Sequence, residues 1–269
     1  MPDSLSPLQF AVTYNLMSMA VATLAGAAIY FFASPGVGKT HKPAMLVSGV
    51  VCAIAAYHYY RIAGSFEAAY PLVSGVYTAS EVPFNNFYRY ADWLITVPLL
   101  MVELIAVLTL APKEKRNLFI SLVFLSAAMI LLGYPGEVST SPGVIWTFFV
   151  LSMIPFLAIL GILFTRISAN LPLQAPKARG LVNLARWTVV VTWSFYPIAY
   201  ILGKLSPESP AAFTALQAGY TIADMTAKAG FGVVIYLIAR AQTEAEEATA
   251  TQPVTTSTPR NAGIPVNAG

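Results

Sequence analysis

The stretch AAFTALQAGYTIADMTAKAGFGVVIYLI, residues 211–238, decides how this chain is read. It is apolar over a length that crosses a ~30 Å hydrocarbon layer as a helix, for which about 20 residues suffice. Two ionisable residues interrupt it, Asp224 and Lys228, four positions apart and so on one helix face. Lys228 stands between Ala227 and Ala229, too deep to reach water by stretching its side chain. Charge at mid-membrane is costly and marks function. A desolvated lysine suits Schiff-base chemistry with an aldehyde, and a protonated Schiff base needs a counterion such as Asp224. The competing reading is a lysine–aspartate pair that serves structure alone.

Working outward, six more apolar runs precede this one, at 8–32, 43–62, 88–110, 118–134, 144–164 and 187–202, the sixth expected to begin earlier, near Gly180. The first run is too long and too late for a secretory signal. The chain has 269 residues, of which 57% are hydrophobic and 10% charged. A soluble domain is roughly one quarter charged, so a soluble enzyme and a disordered chain are both excluded. The fold class is an all-α membrane protein, a seven-transmembrane-helix bundle. A single cysteine, Cys52, excludes an intrachain disulfide framework and any multi-thiolate metal site.

Basic residues set the orientation. Eleven of the 15 lysines and arginines fall on the side of loops 1–2, 3–4, 5–6 and the tail, from Lys39 and Lys42 to Arg240 and Arg260. That side is cytoplasmic, and the N-terminus is extracellular. The expected organisation is a short extracellular N-terminus (1–7), the bundle (8–240) and a disordered cytoplasmic tail (241–269) rich in Thr, Ala and Pro. The segment 63–86 is long enough for a small extracellular hairpin.

The third run carries Arg89, Asp92 and Glu103. Asp92 and Glu103 are eleven residues apart, close to three turns, which places them on one stripe about 16 Å apart. Two carboxyls so separated suggest two stations of a proton path. The alternative for Glu103 is a residue near the interface that merely reaches water. Thr96 lies one turn from Asp92 on the same stripe, and Arg89 one turn to its outer side. His58, within Ala-Tyr-His-Tyr-Tyr, is either a packing residue or a partner of Asp92. Trp93 in the third run, and Trp193, Tyr196, Pro197 and Tyr200 in the sixth, supply aromatic faces at helical spacing.

These residues carry a resemblance. The string Arg-Tyr-Ala-Asp-Trp-Leu-Ile-Thr-Val-Pro-Leu-Leu (89–100) resembles the third-helix signature of the microbial rhodopsins, and Asp-Met-Thr-Ala-Lys-Ala-Gly-Phe-Gly (224–232) their retinal-lysine signature. Trp193, Tyr196, Pro197 and Tyr200 are similar to the family's sixth-helix pocket, with Tyr200 where many members carry Trp. Met129 and Gly133 resemble a fourth-helix pair that flanks the ring end of retinal. The resemblance implies all-trans retinal bound covalently to Lys228 as a Schiff base. Asp92 and Asp224 would be its counterions, with Arg89 completing the cluster. Asp92, Thr96 and Glu103 are similar to the acceptor, middle and donor positions of outward proton pumps of the proteorhodopsin and xanthorhodopsin group. His58 matches the histidine that this group places beside the acceptor. Leu100 takes the colour-tuning position, where an apolar residue implies green absorption. Some members of the xanthorhodopsin branch bind a carotenoid antenna across a small glycine of the fifth helix. Phe149 stands there, so no carotenoid is expected at that site. Position 216 is Leu where archaeal pumps place one of their paired release glutamates, so early proton release of that type is not expected. Glu137 and Glu208 are outer-loop acids with no assigned partner.

The expected function is therefore a light-driven outward proton pump of the inner (plasma) membrane. Its partners are the lipid bilayer and protons, with homo-oligomers implied by the family and no nucleic acid. A sensory rhodopsin of the same fold is the alternative, and Glu103 argues against it because a sensor needs no donor. A non-photochemical transporter using Lys228 and Asp224 as an ion pair is the third reading. No nucleophile–base pair, phosphate loop or metal cluster marks an enzyme.

Overall fold

The computed structural model describes residues 1–206 and 208–251. Among the described residues seven long helices follow one another: α1 (Pro7–Ala33), α2 (Lys42–Ala69), α3 (Phe87–Val107), α4 (Pro112–Val138), α5 (Pro142–Ala169), α6 (Pro176–Leu205) and α7 (Pro210–Ala250). Each is long and apolar enough to span a bilayer.

Proline punctuation explains where most of them begin. Pro7, Pro112, Pro142, Pro176 and Pro210 each occupy the first helical position, and Pro43 the second position of α2. Proline has no N–H to lose there and its φ is already helical. Ser6 and Gln9 close a capping box on α1, and Ser209 caps α7 by accepting from the Ala212 N–H. Runs drawn from hydropathy alone stop short of these ends. The sixth helix starts at Pro176 rather than near Gly180, because its first turns carry Lys177 and Arg179 and hydropathy discounts them. Arg166, just past the fifth apolar run, lies inside α5, and Arg186 lies inside α6.

The boundary expected at residue 241 is corrected in the same way. α7 continues to Ala250, held at its end by contacts the local sequence does not reveal. His41 Nε2 lies 3.0 Å from Glu246 Oε1, Gly38 N–H donates to Thr243 Oγ1 at 3.0 Å, and Lys177 Nζ meets Glu244 Oε2 at 3.1 Å. The rest of the expected tail, 252–269, lies outside the described residues.

At the opposite end of the bundle is a three-stranded antiparallel sheet, β1 (Ser4–Leu5), β2 (Leu72–Val73) and β3 (Val76–Thr78), in the order β1-β3-β2. The hairpin expected within 63–86 is this β2–β3 unit. Its two-residue turn has Ser74 at φ 52° and Gly75 at φ 85°, the pair of positive φ values that matches the right-handed twist of strands. The N-terminus pairs with it, Ser4 opposite Thr78 and Leu5 opposite Tyr77. Phe10 of α1 stacks on Tyr77 at 3.7 Å, which seats the sheet on the helix ends.

The bundle is layered by exposure. Half of the most apolar windows of α2 and α3 and 61% of that of α7 are buried, against 22% for α4, α5 and α6. Large apolar side chains such as Phe124, Ile154, Leu157 and Val191 face outward. In water so much exposed apolar surface would be unfavourable; against lipid it costs nothing. α2, α3 and α7 are the most interior helices, and α3 and α7 carry Asp92, Glu103, Asp224 and Lys228.

Candidate functional site

α7 is not uniform. Thr226–Gly230, centred on Lys228, forms a π-helical turn. Such turns are rare and gather at functional sites. Gly232 follows, and a Cβ there would lie 2.5 Å from the Phe31 ring of α1, so the glycine admits the close packing of α1 against α7.

Lys228 Nζ sits between two carboxylates, 2.7 Å from Asp224 Oδ1 and 3.0 Å from Asp92 Oδ2. All three residues are at most 2% exposed. The two acids differ in their surroundings. Asp224 accepts hydrogen bonds from Tyr196 Oη at 2.6 Å, Tyr59 Oη at 2.8 Å and Trp93 Nε1 at 3.1 Å. Asp92 accepts none of these, and its Oδ1 has no hydrogen-bond partner among the described residues. The negative charge of Asp224 is thus spread over three neutral donors, while that of Asp92 faces Lys228 almost alone.

The neighbours of Asp92 are arranged differently from the expectation. Arg89 does not join the carboxylate cluster. Its Nη1 donates to Gln217 Oε1 at 2.6 Å and its guanidinium lies 5.3 Å over the Tyr220 ring. The reason is its height on α3: one turn beyond Asp92, it faces the outer part of α7, where Gln217 offers a neutral acceptor. His58 Nδ1 lies 3.9 Å from Asp92 Oδ1, which is too long for a hydrogen bond. The same nitrogen is 2.9 Å from the Ile54 carbonyl, so its hydrogen bond is made within α2. Thr96 Oγ1 donates to the Asp92 backbone carbonyl at 2.9 Å and not to the carboxylate.

Glu103 is fully buried, which removes the alternative that it merely reaches water. Its Oε2 accepts a short hydrogen bond from Ser48 of α2, and its Oε1 has no partner among the described residues.

A cavity runs from Lys228 between α3, α4, α5 and α6. Trp93, Leu100, Met129, Gly133, Trp193, Tyr196, Pro197 and Tyr200, all singled out from sequence, line it together with Lys228 and Asp224. Tyr90, Val97, Ile130, Ser152, Met153, Phe156 and Tyr220 line it too and escaped the sequence reading. Helical spacing could have found two of them, since Tyr90 lies three residues before Trp93 and Tyr220 four before Asp224. Tyr59 was passed over for its neighbour His58, and no local signal marks Ser48. Phe149 also lines the cavity, its ring stacked on Tyr200 at 5.6 Å. An elongated apolar ligand with an aldehyde end fits this donor set: aromatic walls, and one buried amine at the closed end.

Fold and site together define a seven-helix integral membrane protein whose interior pocket ends at a lysine. Residues 10–242 match the family model described as bacteriorhodopsin-like protein, and the chain belongs to that family. Its members are rhodopsins, retinal proteins of the cell membrane. Bacteriorhodopsin of Haloterrigena sp. is 30% identical over 71% of this chain and 72% of its own. Green-light absorbing proteorhodopsin of a gamma-proteobacterium is 27% identical over 81% and 82%. Among solved structures, xanthorhodopsin, described as a light-driven ion pump with dual chromophore, superposes with a TM-score of 0.88 at 44% identity, covering 92% of this chain and 99% of that one. A thermophilic rhodopsin superposes with a TM-score of 0.89 at 39% identity, covering 91% and 99%.

Proposed function

We propose that this protein is a light-driven pump that carries protons out of the cell, with retinal held covalently on Lys228 Nζ. The observation that carries the reading is the unequal pair of carboxylates about that nitrogen, 2.7 and 3.0 Å away. Retinal supplies light absorption and an isomerisation that changes the position and basicity of the Nζ proton.

The chain's own groups do the rest. Asp92 is the acceptor of the Nζ proton, because its oxygens lack the donors that stabilise the charge of Asp224. Asp224 remains the fixed counterion, anchored by Tyr59, Trp93 and Tyr196. The return proton comes from Glu103, whose enclosure between α2 and α3 isolates it from both Asp92 and bulk water. At ~1.5 Å per residue the two carboxyls are about 16 Å apart along α3, so the chain keeps the outgoing and incoming protons separate. Trp93, Trp193 and Tyr196 wall the cavity and exclude water from the amine. Lys39, with Lys42 at the start of α2 and Lys113, Lys115 and Arg116 in the first turns of α4, marks that end of the bundle as cytoplasmic by its charge, which puts Glu103 on the inner side and Asp92 on the outer. Phe149 and Tyr200, stacked together, fill the side of the cavity between α5 and α6, and no carotenoid antenna binds there.

The test is light-driven pH change in an unbuffered suspension of cells that express the protein with added retinal. Acidification abolished by a protonophore is expected. A coloured protein with no pH change would overturn the pump in favour of a photosensor, and a colourless one would overturn the assignment of Lys228.

A further inference from the structure

A second cavity, of about 270 Å³, opens between the lysine site and the sheet end of the bundle. A buried water needs only about 10–15 Å³ measured this way and 2–4 polar partners, so the space holds several. Its inner wall includes Arg89, Tyr90 and Trp93, and its outer wall includes Glu137 and Lys204. Glu137, expected in an outer loop, is the penultimate residue of α4, because that helix runs past its apolar stretch, and Lys204 is the penultimate residue of α6. The Lys204 Nζ donates to the Glu137 backbone carbonyl at 2.9 Å and lies 3.6 Å from Glu137 Oε2. Both side chains line the cavity and are about one quarter exposed, 23% and 24%, at the end of the bundle that carries the sheet. On the inner wall Arg89 is only 2% exposed, and its Nε and Nη2 have no partner among the described residues. Buried guanidinium N–H groups are rarely left unsatisfied, which makes this cavity polar and hydrated at its inner end.

We propose that Glu137, held in place by Lys204, is the exit station for the outgoing proton. This rests on the pump reading above. In the step proposed, the O–H bond of protonated Asp92 breaks and its proton passes along the cavity beside Arg89. An O–H bond forms on the Glu137 carboxylate, which then gives the proton to water outside. Asp92 and Glu137 each return to the carboxylate, and one proton has moved. A single ion-paired carboxylate has no proton stored in advance, so release follows the loss of the proton from Asp92 and does not precede it.

The test uses the full chain with retinal in vesicles, following flash-induced absorbance, a pH-indicator dye outside and infrared carboxyl bands. In E137Q the deprotonation of Lys228 Nζ is expected to keep its parental rate. Release to the dye is expected to slow by at least tenfold, a conservative threshold beside the roughly 10²–10⁴-fold that one positioned acid–base group contributes. The infrared carboxyl signal of Asp92 is expected to persist for as long. Because E137Q leaves Lys204 without its partner, E137Q/K204M serves as a second variant with neither charge, and the same delay is expected there. Release at the parental rate in both variants would overturn the proposal while leaving the pump intact. A parent that takes up retinal without moving protons would instead overturn the pump reading on which the proposal rests.

Discussion

Replacing Glu103 by glutamine tests its proposed role as the inner proton source while keeping the shape of the side chain. Ser48 can still donate to the amide oxygen, so the packing of α2 on α3 is retained. The magnitude follows from isolation. Glu103 is fully buried and about 16 Å of helix rise from Asp92. In the parent the return proton is already inside the protein, and the recovery of the resting colour should depend little on pH. In Glu103→Gln every proton must come from solution. Encounter with a proton, which diffuses faster than any protein, runs at about 10¹⁰ M⁻¹s⁻¹ or somewhat above, the upper end of the diffusion limit for proteins, so at pH 7 delivery to an open site is on the order of 10³ s⁻¹. Burial lowers this further. The decisive feature is the slope: free protons fall tenfold for each pH unit, so recovery should slow about tenfold per unit as pH rises. The assay is flash photolysis of the purified pigment at pH 6, 7 and 8, following the visible band. A variant whose recovery is as flat with pH as the parent's, or as fast, would refute the assignment of Glu103 as donor and leave the solvent path open from the start.

Other outcomes are equally specific. Lys228→Ala should give a colourless protein, and because it strands two buried carboxylates it should lose about 3–5 kcal/mol of stability, read as a lower melting temperature of the retinal-free form in detergent. Tyr59→Phe deletes one of the three neutral donors to Asp224 at the cost of a hydrogen bond to a charged group, about 1.5–3 kcal/mol; an unchanged melting temperature would show that the bond is not made. Incubation with a carotenoid should add no bands to the spectrum of the parent, whereas Phe149→Gly, which deletes the ring stacked on Tyr200, should admit one. Carotenoid uptake by the parent would contradict the first half of this pair, and no uptake by Phe149→Gly the second.

Much of the fold was legible because a bilayer restricts what a chain can do. With no water to satisfy the backbone, each crossing must be a helix of about 20 apolar residues, and seven such runs stand out against a chain that is only 10% charged. The pair Asp224–Lys228 was legible for a local reason, since residues four apart on a helix are neighbours whatever surrounds them. The aromatic wall was legible for the same reason in Trp193, Tyr196 and Tyr200. Helix ends were less so. Hydropathy lost the first turns of α6 and the last of α7, where charged side chains reach past the membrane, and tertiary partners such as His41 for Glu246 join the local pair Arg240–Glu244 in holding the helix beyond Arg240.

What the sequence determined by itself is the number of crossings, the side bearing positive charge, and the presence of one lysine with carboxyls on its own helix and on the third. Tertiary structure decided which groups those carboxyls meet. Ser48 and Glu103 are 55 residues apart, and Tyr59 and Asp224 are 165 apart. No periodicity links them, because their meeting depends on how far each helix is rotated and raised against its neighbours, and side-chain packing across the bundle sets that. The π turn at Lys228 belongs to the same category. So does the separation of Arg89, drawn to Gln217, from the acids beside the lysine. The asymmetry between Asp92 and Asp224, on which the proposed direction of proton transfer rests, is a property of the assembled helices and of neither residue alone.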